Sequence, residues 1–143
     1  ESGELLRHLL NGLYAIENFR RPPELLRAAF ELRAMSLAGY EPLLEGCAFC
    51  GKAEPEEPVL DLGSGVLRCR RCGSGGAGMP LDGDALAAAR HVLYGDPKRL
   101  YGFTLGEESL RRLSAAAEAF TLAQLERGFR TLDYYKSLRG MEG

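Results

Sequence analysis

The chain has 143 residues, 45% of them hydrophobic, and a formal net charge of −2. That suffices for one compact domain with its own core and leaves room for a small second unit. It excludes a protein that coats nucleic acid over its whole surface, and no apolar run approaches the roughly 20 residues needed to span a bilayer, so a soluble chain is expected. The charge is uneven: residues 1–61 carry 6 basic and 11 acidic side chains, net −5, and residues 62–143 carry 12 and 9, net +3. A basic second half suits phosphates or an acidic peptide, or simply solvates helix faces. The first residue is glutamate and no signal-peptide pattern follows it, so the sequence reads as a fragment.

In chain order, "ELLRHLLNGLYAIENF" sets Leu5, Leu6, Leu9, Leu10, Leu13 and Ile16 at helical spacing, which predicts a first helix with a wide buried stripe. Pro22 and Pro23 interrupt it. Pro23 suits the first turn of a second helix, with Leu25, Ala29 and Leu32 on one face and Leu26, Phe30 and Leu37 beside it; Gly39 is expected to cap it in the left-handed conformation, and Pro42 bars continuation. Helices this apolar need several neighbours, as in a bundle.

The pattern breaks at residues 47–73. "PVLDL" and "GVLR", separated by Gly63, Ser64 and Gly65, predict a small β-hairpin, and the glycine-rich residues 73–80 read as a loop. A third helix is expected from about Asp82 to Gly95, and a fourth from near Glu107 with Leu110, Leu113, Ala117 and Phe120 on one face. Its N-cap is Thr104, in a capping box with Glu107, or Gly106, and Gly128 is a candidate end, leaving a short further helix or packed tail. The expected fold is therefore mainly α: a helical bundle, residues 1–46 and 74–143, with an inserted small zinc-binding β-hairpin module at 47–73, zinc-finger-like and built on four cysteines.

All four cysteines lie in that insertion, as Cys47-x2-Cys50, 18 intervening residues, then Cys69-x2-Cys72, each pair followed by glycine. The spacing fits one tetrahedral zinc ion. Four thiolates leave no open position for water, so the ion would be structural. Disulfides would need an oxidising compartment, and a thioredoxin-like pair would need one motif at the start of a helix. His8 and His91 lie outside the cysteine motifs and read as helix-surface or boundary residues. No Ser/His/Asp or Cys/His arrangement and no P-loop is visible, which leaves a dispersed site open.

"FELRAMSLAGYEPLLEGCAFCG", followed by "CRRCG" and a terminal helix beginning "LGEESLRRL", resembles RecO, a family of bacterial recombination mediators, over nearly the whole chain. The resemblance implies the helical, zinc-bearing part of such a protein without its N-terminal OB-fold and without the bundle's first helix, which would leave Leu6, Leu10 or Leu13 exposed. It implies a non-enzymatic protein of the bacterial cytoplasm and nucleoid. Such a protein binds single- and double-stranded DNA, anneals strands, and docks RecR and the acidic tail of single-stranded-DNA-binding protein to load RecA. An unrelated zinc-ribbon nucleic-acid-binding or transcription-associated protein is the alternative, and it leaves the flanking helices unexplained. Two basic clusters are candidate contacts. Arg68, Arg70 and Arg71 surround the second cysteine pair, facing phosphate or balancing Glu54, Glu56, Glu57 and Asp61. Arg127, Arg130, Lys136 and Arg139 are interleaved with Phe129, Tyr134 and Tyr135, an arrangement suited to stacked bases or an acidic peptide, or to a helix whose aromatics face the core.

Overall fold

The proline pair sets the first boundary. Helix α1 (Ser2–Asn18) stops before it, and α2 (Pro23–Leu37) begins on Pro23, whose missing N–H would be unpaired in the first turn anyway. At the far end Gly39 adopts φ +94, its N–H donates to the Ser36 carbonyl, and the Tyr40 N–H reaches back to Met35 at 2.8 Å. This is the Schellman closure that only glycine takes without strain. The computed structural model describes residues 2–72 and 78–142. After α2 come β1 (Val59–Asp61), β2 (Leu67–Arg68), β3 (Gly78–Pro80), α3 (Gly83–Tyr94), a single 3₁₀ turn (Pro97–Arg99) and α4 (Glu107–Glu142). Among the described residues no helix is long and apolar enough to cross a membrane.

The strands form an antiparallel sheet in the order β2-β1-β3, with Leu60 opposite Leu67 on one side and Met79 on the other. The predicted hairpin is present. The loop expected over residues 73–80 is shortened, because Gly78–Pro80 pairs with β1; residues 73–77 lie outside the described residues. A Cβ at Gly78 would come within 2.6 Å of both Arg68 and Val59, so the missing side chain is what lets β3 approach.

Asp82 accepts from the Ala85 N–H as the N-cap of α3 and also receives the Ser109 hydroxyl of α4 at 2.9 Å, tying the two helix starts together. The first α4 bond runs from the Leu110 N–H to the Gly106 carbonyl, so Gly106 rather than Thr104 stands at its N-cap position. The core lies where α2, α3 and α4 meet: Leu25, Leu32, Leu86, Val92, Leu113 and Phe120 fill it, and paired alanines at 28–29, 88–89 and 116–117 let the helices approach closely. Leu60 and Leu67 of the hairpin belong to the same apolar cluster.

Three expectations are corrected. The leucine stripe of α1 is not buried as its periodicity predicts: Leu6, Leu9, Leu10, Leu13 and Ile16 are all at least 45% exposed, as the resemblance implies for Leu6, Leu10 and Leu13, and the helix packs instead through His8, Gly12 and Ala15. A Cβ at Gly12 would strike the Phe30 ring at 2.7 Å, so glycine sets that contact distance. His8 is a core residue rather than a surface one, stacked on Phe30 at 4.5 Å with Nε2 3.0 Å from the Phe30 carbonyl. Finally, α4 runs through Gly128 without a break. Glycine costs about 1 kcal/mol against alanine inside a helix, and the flanking helix formers, with the Glu126–Arg130 pair one turn apart, offset it.

The packing separates two aromatic positions on α4. Phe120→Ala removes a fully buried ring and is expected to cost about 3–5 kcal/mol, read from urea unfolding. Phe129→Ala, on the exposed part of the same helix, should stay within about 0.5 kcal/mol; equal losses would contradict the packing. Burial pulls the His8 pKa down, Arg33 adds to that, and the Phe30 carbonyl opposes it. A depressed folded pKa means that stability is fully present above about pH 6.5 and falls as the pH drops below it. His8→Gln should flatten that part of the stability profile, and an unchanged slope would show that His8 does not carry it.

Candidate metal centre and basic surfaces

The first cysteine turn is held by backbone bonds. The Cys47 N–H donates to Lys52 at 2.9 Å, the Gly51 N–H closes back on Cys47 at 2.9 Å, and Gly51 sits at φ +78, where a side chain would be strained. The Ala48 N–H donates to Leu67 at 2.8 Å, fastening this turn to β2, and β2 runs directly into Cys69. The second turn closes through the Cys72 N–H on the Cys69 carbonyl at 3.1 Å. The hairpin thus carries both cysteine pairs to one point.

All four cysteines are free thiols whose sulfurs lie within 4.8 Å of one another. Cys69 Sγ is 3.9 Å from Cys47 Sγ, 3.9 Å from Cys50 Sγ and 3.3 Å from Cys72 Sγ. Sulfurs at tetrahedral positions about 2.3 Å from one ion stand about 3.8 Å apart, so the cluster could hold a metal ion. Burial works to raise the Cys47 pKa, but backbone N–H groups of Cys50, Cys69 and Phe49 outweigh it and hold the thiol down at about 6. Cys72 is pushed up to about 12, first by its hydrogen bond with Cys69 and then by desolvation. The site therefore favours one thiolate readily and resists crowding several together, unless a cation neutralises them.

Two α3 residues that sequence reasoning passed over brace the first turn. Arg90 donates to the Leu44 carbonyl at 2.8 Å, the Ala53 carbonyl at 2.7 Å and the Glu54 carboxylate at 2.7 Å, gripping both flanks of Cys47–Cys50. The Tyr94 hydroxyl accepts from the Leu44 N–H at 3.0 Å. Arg90 and Tyr94 stand four apart on one helix face, the only trace of this in the sequence.

The candidate basic residues do not share one environment. Arg68 is 7% exposed, lies across β3 and has Nε 3.6 Å from Asp61, so it faces the interior rather than a ligand. Asp61 is held below the usual carboxylate range by the Ser64 N–H first, burial opposing, then by the Ser64 hydroxyl and Arg68. Arg70 pairs with Glu57 at 2.7 Å, and Arg71 is exposed. Arg127 donates to the Gly63 carbonyl, bracing the hairpin turn; Arg130 pairs with Glu126; Lys136 and Arg139 are exposed. The aromatics beside them, Phe129, Tyr134 and Tyr135, are 60% exposed or more and cover no core.

A further basic surface was not singled out from sequence. A cleft of about 880 Å³ lies between α1, α2 and the 97–102 segment, and Arg20, Arg21, Lys98 and Arg99 line it. Its signal was two basic pairs, "RRPP" and "PKR", beside prolines and far apart in the chain.

Residues 1–133 match the family described as Recombination protein O C terminal. A DNA repair protein RecO of Symbiobacterium thermophilum is 32% identical over 139 residues, 92% of this chain and 53% of that protein. The RecO of Frankia casuarinae is 34% identical over 127 residues, covering 88% and 50%. That of Acetivibrio thermocellus is 25% identical over 138 residues, covering 96% and 55%. The chain spans about half the length of these relatives. A match that takes in α1, the cysteine hairpin, α3 and most of α4 in one alignment does not suit an unrelated zinc ribbon, and the chain belongs to the recombination protein O C-terminal family.

Proposed function

We propose that this chain is the helical, zinc-bearing half of a DNA repair and recombination mediator, a non-enzymatic protein that binds DNA and docks partner proteins. The family match over residues 1–133 carries this reading, because it spans the bundle and the cysteine site together. Zinc is the ion that the donor set suits: among the described residues the cluster offers four sulfurs and no carboxylate or imidazole, with Cys47 and Cys69 buried. Its task would be to fix the two cysteine turns and hence the hairpin; with no open position it supplies no reaction chemistry.

The distal part of α4 is the surface we assign to partners such as RecR or the acidic tail of single-stranded-DNA-binding protein. Beyond Gln124, which is buried against the hairpin, the helix carries Leu125, Phe129 and Leu132 exposed beside Arg130, Lys136 and Arg139. Exposed apolar side chains rimmed by cations suit a peptide with carboxylates and an apolar end.

One zinc per chain is expected by elemental analysis of protein purified under reducing conditions without chelator. Cys69→Ser should lose the ion and lower the melting temperature, and Arg90→Met should weaken zinc affinity roughly ten-fold by releasing the flanks of the first turn. A stoichiometric metal other than zinc, or none, would overturn the assignment. An acidic, phenylalanine-terminated peptide is expected to bind the chain by calorimetry and to bind Arg130→Ala/Lys136→Ala at least about five-fold more weakly. Equal binding by the folded variant would remove α4 as the docking surface.

A further inference from the structure

The cleft between α1, α2 and the 3₁₀ turn concentrates charge in a way that the composition does not predict. Arg7, Arg20, Arg21, Arg33, Lys98 and Arg99 line it against one carboxylate, Glu4, in a chain whose net charge is −2. Two of the six are engaged: Arg21 donates to the Phe103 carbonyl at 3.4 Å and Arg33 to the Leu93 carbonyl at 3.2 Å. Among the described residues Arg7, Arg20, Lys98 and Arg99 are exposed and make no side-chain hydrogen bond or ion pair. Elsewhere Arg70, Arg111, Arg112 and Arg130 each sit on a carboxylate. Like charges gathered without counter-charges repel one another, a cost that an anionic ligand would remove.

The aromatic groups make the second observation. Tyr101 is only 7% exposed, lines the cleft beside Gly12, and its buried hydroxyl has no hydrogen-bond partner. The hydroxyl stands 3.5 Å from where a Cβ at Gly12 would sit, so the ring is wedged against α1 and forms the inner wall of the cleft. Phe19 packs edge-on to Tyr101 at 6.1 Å and Tyr14 edge-on to Phe19 at 6.0 Å, so a chain of rings leads from the buried phenol to solvent. Tyr14 is 61% and Phe19 43% exposed, leaving ring surface free beside the arginines.

We propose that this cleft binds single-stranded nucleic acid, with backbone phosphates on Arg7, Arg20, Lys98 and Arg99 and a base packed against Tyr14 and Phe19. Cations that track a backbone, combined with open aromatic faces, are the chemistry of sequence-tolerant single-strand binding; a duplex hides its base faces and has no use for the rings. An acidic peptide with an apolar end would need an aliphatic socket. The aliphatic side chains here, Leu37 and Leu100, are half-buried and buried, and they offer little of one. The site deepens the reading that this chain contacts DNA and rests on it; it sets that contact apart from the distal part of α4.

The test is fluorescence anisotropy of a labelled oligothymidylate titrated with the whole chain at several salt concentrations. Wild-type protein should bind in a salt-sensitive way. Arg20→Ala/Lys98→Ala should weaken binding at least about ten-fold at low salt and reduce the log–log salt slope by about 1.4, near 0.7 for each lost single-strand phosphate contact. Tyr14→Ala should weaken it at least about five-fold with the slope unchanged, while Arg111→Ala, at an exposed arginine held by Glu108 outside the cleft, should leave it intact. If wild type binds and Arg20→Ala/Lys98→Ala binds equally well, the cleft is not the site, although the DNA-contact reading stands. No binding by wild type even at low salt removes that reading and the cleft with it. If the Arg20/Lys98 pair controls the acidic peptide and not the oligonucleotide, the cleft is a peptide site and the proposal is overturned.

Discussion

The arrangement of the cysteine site depends on one constraint, the burial of the β1–β2 hairpin in the helical core. Leu60 and Leu67 are 3% and 0% exposed within the same cluster as the helices, and Gly65, at φ +70, makes the turn beside the Phe120 ring. A short hairpin is at best marginally stable by itself. Here its leucines join the helical core, its turn is braced by Arg127 and Gln124 of α4, and the start of its cysteine segment is gripped by Arg90. Bundle and hairpin together bring the four sulfurs within 4.8 Å of one another. A metal held there would fix the two cysteine turns to a hairpin whose leucines belong to the helical core.

That dependence explains which features could be read from the sequence. The cysteine turns, the hairpin glycines, the Pro23 start and the Gly39 stop are set by local chemistry, namely ligand spacing, positive φ and a missing N–H, and local chemistry is visible in a string of residues. The faces of α1 were not legible in the same way. Leucines at 6, 9, 10 and 13 form a better apolar stripe than His8, Gly12 and Ala15, yet α2 takes the second set, because Gly12 admits the Phe30 ring and His8 stacks on it. Periodicity ranks faces by hydrophobicity, whereas packing ranks them by fit. Gly128 failed as a helix end for a related reason: a helix stops where something else satisfies its last carbonyls, and nothing after Gly128 offers that. The pairing of Gly78–Pro80 with β1 is a tertiary fact with no local marker.

Charge was the least legible property. Sequence proximity grouped Arg68 with Arg70 and Arg71, but a two-residue step along a strand-to-turn passage separates an interior arginine beside Asp61 from one paired at the surface with Glu57. The unpaired cations that do converge come from residues 7, 20 and 98–99, which no window along the chain would join. Folding sorts arginines by whether a carboxylate or carbonyl lies within reach. Those left without one, rather than those close in sequence, make the electrostatic surface.

The two halves of α4 show how one element serves two ends. From Leu110 to Gln124 its inward side chains are core, and the helix is held by packing against α2, α3 and β3. Beyond that point it has no comparable cover, and an isolated helical segment of this length is marginal in water. Its backbone is nevertheless satisfied internally, and the packed half supplies the nucleus that an isolated peptide lacks, so extension costs only the ordering of each added residue. The result is a projecting arm whose exposed Phe129, Leu132 and Tyr135 gain most by burial against something else. This suits the docking role proposed for it, because a partner could cover these side chains without disturbing the core that holds the cysteine site.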